Sequence, residues 1–227
     1  MTLKKFAAAA AVAAVLAFAV GGAAFAELNE KQVNLCHTGT SKEISEALKK
    51  GTLKAGDKNN YGASLLMVAV EKNGDPNVIS VLKKAGCDIN YKSPHGDNAL
   101  MHAAGWNQNV KIVARLLKGG AKINDTDKGG RTALMYAADN NSNPEVVKTL
   151  IKSKANVNAR DKDGRTVLMR AARISQSPKV VAALLDSGAD AKAKDKQGNT
   201  AAAYAAANKA LNNTDVHKRL IKAAQGK

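Results

Sequence analysis

The stretch Asp161-Lys-Asp-Gly-Arg-Thr-Val-Leu-Met-Arg-Ala-Ala172, with Ser177-Pro-Lys-Val-Val-Ala-Ala-Leu-Leu-Asp-Ser-Gly188 after it, decides the fold. Gly164 permits the positive φ of a tight turn, and Thr166 stands where a helix N-cap belongs, ahead of an apolar run. The Ser-Pro pair supplies a cap and a proline for the first position of a second helix, and the final glycine fits the C′ position after it. This stretch therefore predicts a turn and two short helices. One such unit is too small to bury its own apolar face, so it needs neighbours.

The same pattern recurs every 34 residues along the chain. Self-similarity at a fixed period of 20–50 residues is typical of a stacked array of helical units. The phased positions are Gly62, Gly96, Gly130, Gly164 and Gly198; Leu66, Leu100, Leu134 and Leu168; Met67, Met101, Met135 and Met169; Leu82, Leu116, Leu150 and Leu184; and Asn90, Asn124 and Asn158.

Each unit resembles the ankyrin repeat, whose pattern runs D-x-x-G-x-T-P-L-H-x-A-A, a loop, then V-V-x-x-L-L-x-x-G-A-D-V-N-A. Here the first half appears as N-N-Y-G-A-S-L-L-M-V-A-V, S-P-H-G-D-N-A-L-M-H-A-A, D-K-G-G-R-T-A-L-M-Y-A-A, the opening stretch, and D-K-Q-G-N-T-A-A-A-Y-A-A. Methionine replaces the family histidine in four repeats, and each unit carries one extra residue in the inter-helix loop. The residues that replace its proline are Leu65, Ala99, Ala133, Val167 and Ala201. The resemblance covers roughly residues 28–222 and implies an all-α solenoid of stacked helix-turn-helix units with β-turn-like finger connections.

The period also divides the chain. We expect a degenerate N-terminal capping repeat at 27–58, four repeats at 59–92, 93–126, 127–160 and 161–194, and a C-terminal capping repeat at 195–227. In the first unit, Thr40 and Glu43 form a capping-box pattern. In the last, Val216 and Leu220 come two residues late, so its loop is longer. The stretch V-N-L-C-H-T-G-T-S-K-E-I is similar to the opening of exported bacterial ankyrin proteins.

Residues 1–26 form a segment that we exclude from the fold. Lys4 and Lys5 precede an apolar run that ends at Ala24-Phe-Ala26, as in a secretory signal peptide cleaved after Ala26. The alternative is a membrane anchor, but the apolar run is shorter than the ~20 residues that span a bilayer. The expected location is therefore periplasmic or secreted, in a bacterium, with no transmembrane segment in the mature chain.

The charge of the chain is strongly basic. There are 35 Lys and Arg against 19 Asp and Glu, and the signal segment holds two of the lysines and no acid, which leaves 33 − 19 = +14. A protein this basic attracts an acidic protein, an anionic envelope polymer or a membrane surface. In that compartment we do not expect a nucleic-acid partner. The competing interpretation is that the charges only solvate the helix faces.

Two cysteines, Cys36 and Cys87, could pair in an oxidising compartment. The repeat register places Cys36 within a first helix and Cys87 after a second helix, at different levels of the stack. We expect their α-carbons to be further apart than the ~7 Å limit for a disulfide. The prediction is therefore two buried free thiols.

Catalytic or metal-binding motifs are not found in the sequence. The four histidines share no ligand spacing with the cysteines, and no nucleophile elbow, phosphate loop or zinc-protease motif is present. The turns 124–129 and 161–164 only superficially resemble calcium loops, and one methionine per repeat is typical of core filling. We therefore predict no cofactor, no metal and no enzymatic activity.

The remaining candidate is a binding surface. The resemblance to ankyrin repeats implies a concave face with six partner-facing positions per unit, and in the fourth unit they are Arg160, Lys162, Asp163, Arg165, Arg173 and Ile174. Over five units these thirty positions hold eleven basic and four acidic residues, a net of +7. The remaining basic ones are Lys58, Lys72, Lys92, Lys128, Arg131, Lys194 and Lys196; the remaining acidic ones are Glu71, Asp97 and Asp139; and Ala63, Gly105 and Asn208 are also among the thirty.

The residues that we expect to carry binding are Trp106, Lys128, Arg131, Arg160, Lys162, Arg165, Arg173, Tyr61, Lys92 and His95. Trp106 is the only tryptophan, and aromatic and arginine anchors dominate interface energies; the alternative is that it covers the loop of its own repeat. Tyr136, His102 and Arg170 lie one turn inward, and we expect Tyr136 to pack between repeats.

The sequence thus predicts a monomeric, non-catalytic protein-interaction module that binds an acidic protein. Three alternatives remain open: an immunity or inhibitor protein that covers the acidic site of a secreted enzyme, an adhesin for an anionic envelope polymer, and, least favoured, an enzyme.

Overall fold

The computed structural model describes residues 27–225, so the predicted signal segment lies outside the described residues. Within 27–225 the chain forms α-helices joined by turns, with isolated β-bridges and no extended strand. The helices are α1 (Glu30–Thr38), α2 (Ser41–Lys49), α3 (Leu65–Lys72), α4 (Asn77–Lys84), α5 (Ala99–Trp106), α6 (Val110–Lys118), α7 (Ala133–Asn140), α8 (Pro144–Lys152), α9 (Val167–Ile174), α10 (Pro178–Asp186), α11 (Ala201–Ala207) and α12 (Asp215–Gln225).

The helices stack in two layers. The odd-numbered helices, which are the first helix of each unit, contact one another in sequence from α1 to α11, and the even-numbered second helices form the layer behind them. The phased residues Leu66, Leu100, Leu134 and Leu168 are fully buried between the layers, as are the phased methionines. The expectation of an all-α solenoid of paired helices is confirmed.

Local capping sets where the helices begin. The side chains of Ser64, Asn98, Thr132, Thr166 and Thr200 each accept a hydrogen bond from the backbone N–H three residues later, which satisfies one exposed donor of a first helix. The predicted role of Ser177 is wrong in one respect. It occupies the N-cap position before the proline but makes no capping hydrogen bond; its hydroxyl donates to the carbonyl of Ser142 in the preceding unit at 3.2 Å.

A ladder of buried asparagines ties consecutive units together. The Nδ2 of Asn73, Asn107 and Asn141 each donates to two carbonyls of the preceding unit, at 2.8–2.9 Å. The Oδ1 of each accepts the N–H two residues later. Asn208 repeats the arrangement in the last unit, whereas Ser175 takes the asparagine position in the fourth. The ladder gives buried backbone groups at helix ends their partners, as burial requires.

The finger turns approach one another closely. Gly96 and Gly130 have φ of +86° and +79°, and a Cβ on Gly96 would lie 2.8 Å from the backbone nitrogen of Lys128 in the next finger. Successive fingers are joined by backbone hydrogen bonds, from the N–H of Lys128 to His95 and from the N–H of Lys162 to Gly129. Glycine is therefore required at these positions both for conformation and for space.

The two end units differ in detail from the repeats between them. The capping box of Thr40 and Glu43 is formed, and α12 buries Val216 and Leu220 after the longer loop.

Cys36 and Cys87 are both buried, and the Cys87 thiol donates to the carbonyl of Ala55 at 3.6 Å. Burial, with the Cys87 and Asp57 charges adding to it, raises the pKa of Cys36 to about 12.

Candidate functional site: the finger face

The finger turns and the exposed ends of the first helices, which hold the thirty positions predicted to face a partner, form one surface that we call the finger face. Of the ten residues predicted to carry binding, Arg131 and Arg165 are half-buried on it. The other eight are exposed, and they are Tyr61, Lys92, His95, Trp106, Lys128, Arg160, Lys162 and Arg173.

Trp106 ends α5 and is 46% exposed. Its ring lies 5.3 Å from the ring of His102 on the same helix and 5.8 Å, edge-on, from the ring of Tyr136 in α7. Gly105, which precedes Trp106, also lies against Tyr136: a Cβ at that position would make an ordinary van der Waals contact with it, at 3.6 Å. One side of the indole is thus fixed by aromatic neighbours, and nearly half of its surface remains available.

Beneath the finger face, a side-chain hydrogen bond, which we call a tie, links the first helix to its own finger in the last three units. Tyr136, Arg170 and Tyr204 each bond an aspartate nine residues earlier: Tyr136 donates to Asp127 at 2.9 Å, Arg170 to Asp161 at 2.8 Å, and Tyr204 to Asp195 at 2.5 Å. These ties were not predicted from the sequence. The signal was present as an aspartate at one repeat position and a polar side chain nine residues later.

The second repeat, 93–126, makes this tie differently. Ser93 occupies the aspartate position, and Asp97 supplies the carboxylate instead, accepting bonds from Ser93 and from Nε2 of His102. His102 also binds Oε1 of Glu71 in the preceding unit through Nδ1 at 2.7 Å, and His37 lies 3.7 Å from that carboxylate. We call His37, Glu71, Asp97 and His102 the His102 cluster; it spans three units.

The ionisation of the His102 cluster follows from its contacts. Burial alone would lower the pKa of His102, but its hydrogen bonds to Asp97 and Glu71 outweigh burial and raise the pKa to about 9. Burial opposes ionisation of the two carboxylates, and their hydrogen bonds to His102 lower the pKa of each to about 2. At neutral pH His102 is therefore a histidinium, held between the carboxylates of Glu71 and Asp97.

A second buried cluster joins the third and fourth repeats. Arg170 bonds Asp139 through Nε at 3.0 Å and through Nη2, and Asp161 through Nη1 at 2.8 Å. All three side chains are at most 8% exposed. Removing Arg170 would leave two buried carboxylates without their cation, which is strongly destabilising.

These clusters change the interpretation of the thirty partner-facing positions. All four of their carboxylates are paired within the chain: Glu71 and Asp97 with His102, Asp139 with Arg170, and Asp163 with Arg165 at 2.6 Å. The prediction is wrong for four positions, which are buried by packing or pairing; they are Ala63, Gly105, Asn208 and the side chain of Asp139.

The basic residues divide into two kinds. Arg131 is held by Asp127 at 2.7 Å and lies 4.8 Å above the Tyr136 ring, and Arg165 is held by Asp163 and Tyr204. Lys128 and Lys162 use their backbone N–H in the finger contacts and direct exposed side chains outward. The arginine side chains therefore also stabilise the fold, whereas the side chains of these two lysines extend into solvent.

Two other predicted residues connect neighbouring fingers. Lys92 donates to the carbonyl of Thr126 at 3.1 Å and pairs with Asp125 at 3.3 Å. Arg160 donates to the carbonyls of Gly164 and Lys194, both at 2.7 Å. The charge of Lys92 is thus already paired with a carboxylate, whereas Arg160 is oriented by carbonyls with its charge exposed. Arg160 is therefore suited to binding an anionic group with little further ordering.

Comparison with protein families gives one match. The family described as ankyrin repeats (3 copies) matches residues 66–161 and 142–226. No curated protein matches the sequence. Among residues 27–225, every helix is too short or too polar to cross a membrane.

Proposed function

This chain belongs to the ankyrin-repeat family, whose members are generally non-catalytic protein-interaction modules, and we propose that it holds an acidic protein partner on its finger face in the bacterial cell envelope. Export is supported by the basic, apolar and small-residue pattern of residues 1–26.

The observation that carries the proposal is that the acidic residues of the finger face are paired within the chain. The finger face has eleven basic and four acidic positions, and each of the four carboxylates is bonded to a cationic side chain of the chain itself. The charge presented outward is therefore basic, on side chains such as Lys128, Lys162 and Arg173. A surface of one sign steers a partner of the opposite sign and disfavours like-charged partners.

The test compares two variants of equal net charge. Lys128, Lys162 and Arg173 are changed to Glu on the finger face, and in the control Lys111, Lys118 and Lys152 are changed to Glu on the exposed second helices. Arg131 and Arg165 are left unchanged because they also hold the fold. Each protein is used to capture partners from the envelope fraction, followed by mass spectrometry and binding kinetics.

We expect the finger-face variant to lose the partner that the wild-type protein captures, with association slowed at least ~10-fold and its salt dependence reduced. The control should capture the partner as the wild type does. Equal losses in both variants would contradict the proposal and favour diffuse attachment to an anionic polymer. A single stoichiometric enzyme as partner, inhibited on binding, would identify the chain as an inhibitor within the proposed class.

A further inference from the structure

The finger face has an aromatic end and a basic end. Two of the three large apolar side chains that are exposed in residues 27–225, Tyr61 at 58% and Trp106 at 46%, lie on its N-terminal half. Pro94 and His95 are exposed between them. These residues provide a surface that favours contact with apolar and aromatic groups.

The positive charge lies at the other end. Eight of the eleven basic positions fall between residues 128 and 196, and three fall before them. Of these three, Lys92 pairs with Asp125, and the ammonium of Lys58 lies 4.6 Å above the Tyr91 ring. Two of the eight, Arg131 and Arg165, are likewise paired with carboxylates, which leaves six basic residues at this end. The basic end is formed by the last three fingers and by Arg173 at the end of α9.

The distance between the two ends fixes the length of the ligand. Trp106 ends α5 and Arg173 lies near the end of α9, with α7 between them. Packed helices lie about 8–10 Å apart, so two steps separate the residues by about 16–20 Å. An extended chain advances about 3.3 Å per residue, so five or six residues span this distance.

Resting on the proposed function, we propose that the finger face binds an extended segment of its partner in which an aromatic residue lies five or six positions from a cluster of Asp and Glu. The aromatic residue contacts the exposed side of Trp106. The carboxylates face Lys162 and Arg173. A binding face that is apolar at one end and cationic at the other recognises the distance between the aromatic residue and the acidic cluster as well as the charge. A uniformly basic surface would recognise only the charge.

The experiment uses synthetic peptides and the purified protein after expression of the full chain. The first peptide carries Phe, a four-residue Gly-Ser spacer and four acidic residues. The second has the same composition with Phe inside the acidic run, the third replaces Phe by Ser, and the fourth replaces the acids by their amides. Because Trp106 is the only tryptophan in the chain, its emission reports contact at the aromatic end, and the anisotropy of dye-labelled peptides gives the affinity.

We expect the first peptide to bind at least ~10-fold more tightly than the other three and to change the Trp106 emission. Trp106→Ala should weaken the first peptide at least ~10-fold and leave the third unchanged, and Trp106→Phe should retain most of the affinity. Lys162→Glu with Arg173→Glu should weaken the first and third peptides alike. Lys111→Glu with Lys152→Glu should affect neither.

Equal binding of the first and third peptides, with no effect of Trp106→Ala, would overturn the inference in favour of a uniform anion surface. Failure of all peptides would overturn it as well. In that case, loss of the captured partner by the finger-face variant would still support the proposed function, so the two failures are distinguishable.

Discussion

The asparagine ladder makes a quantitative prediction at Asn141. This side chain is 2% exposed and makes three hydrogen bonds of 2.9 Å. Two run from Nδ2 to the carbonyls of Ala104 and Asn107 in the preceding unit, and one is accepted by Oδ1 from the N–H of Asn143. Asn141→Ala removes all three, and water cannot easily replace them at a buried position.

The fourth repeat supplies the control. There Ser175 stands at the asparagine position and accepts only the local bond, from the N–H of Ser177 at 3.2 Å. Asn141→Ser should therefore keep the local bond and lose the two inter-repeat bonds. The reverse change, Ser175→Asn, should place Nδ2 near the carbonyls 37 and 34 residues earlier, as Asn141 does.

The expected magnitudes follow from the number of bonds. A buried hydrogen bond contributes about 1 kcal/mol net, and an unsatisfied buried group costs about 1–3 kcal/mol. Asn141→Ala should then destabilise by about 3 kcal/mol or more and Asn141→Ser by about 2 kcal/mol. Ser175→Asn should stabilise by about 1 kcal/mol, which raises the Tm by about 2–4 °C in a chain of this size.

The assay is equilibrium unfolding in urea, followed by circular dichroism and by Trp106 fluorescence. Coincident transitions justify comparing free energies of unfolding, since repeat arrays can unfold in steps. If Asn141→Ala changes the free energy of unfolding by less than about 0.5 kcal/mol, or if Ser175→Asn destabilises as much as Asn141→Ser, the inter-repeat bonds do not hold the array together as we reason.

Three further predictions concern the clusters, the fingers and the thiols. The stability that the His102 histidinium contributes is complete below its unfolded pKa of 6.5 and is lost as pH rises towards 9, whereas the stability from the two carboxylates is lost as pH falls from about 4.5 towards 2. His102→Gln should therefore lower the free energy of unfolding most at pH 5–6, and about 2–3 kcal/mol of that loss should disappear by pH 9 in urea unfolding. Gly96→Ala should cost at least ~1 kcal/mol more than Gly198→Ala, because both glycines have positive φ but only a Cβ on Gly96 meets the next finger; similar losses of Tm would contradict this. Thiol titration should find Cys36 and Cys87 unreactive in the folded protein, because burial raises their pKa to about 12 and about 11, and two free thiols after unfolding without reductant, whereas none in monomeric protein would show a disulfide.

Local sequence chemistry was sufficient for the fold. A fixed 34-residue period of leucine, methionine and glycine predicts the paired helices, and short-range caps such as Thr166 and turn glycines such as Gly164 are confirmed. These features act within one unit, over a few residues, so they can be identified without knowing how the units stack. The resemblance to ankyrin repeats likewise placed Trp106 on the partner-facing side, and the structure shows it 46% exposed.

The state of the charged residues was decided by the tertiary structure. Composition counts Glu71, Asp139 and Arg131 equally with Lys128, yet Glu71 and Asp139 are neutralised by the next unit and Arg131 by its own finger. Asn141 likewise resembles an ordinary loop asparagine until the preceding unit supplies its carbonyl acceptors. The period by itself determined which residues face inward in each unit. Which charges remain on the surface depends on contacts that the period does not show, because Glu71 and Asp139 meet their partners 31 residues away only when the units pack, whereas Asp97 and Arg131 are paired within their own unit once its finger and first helix have folded together.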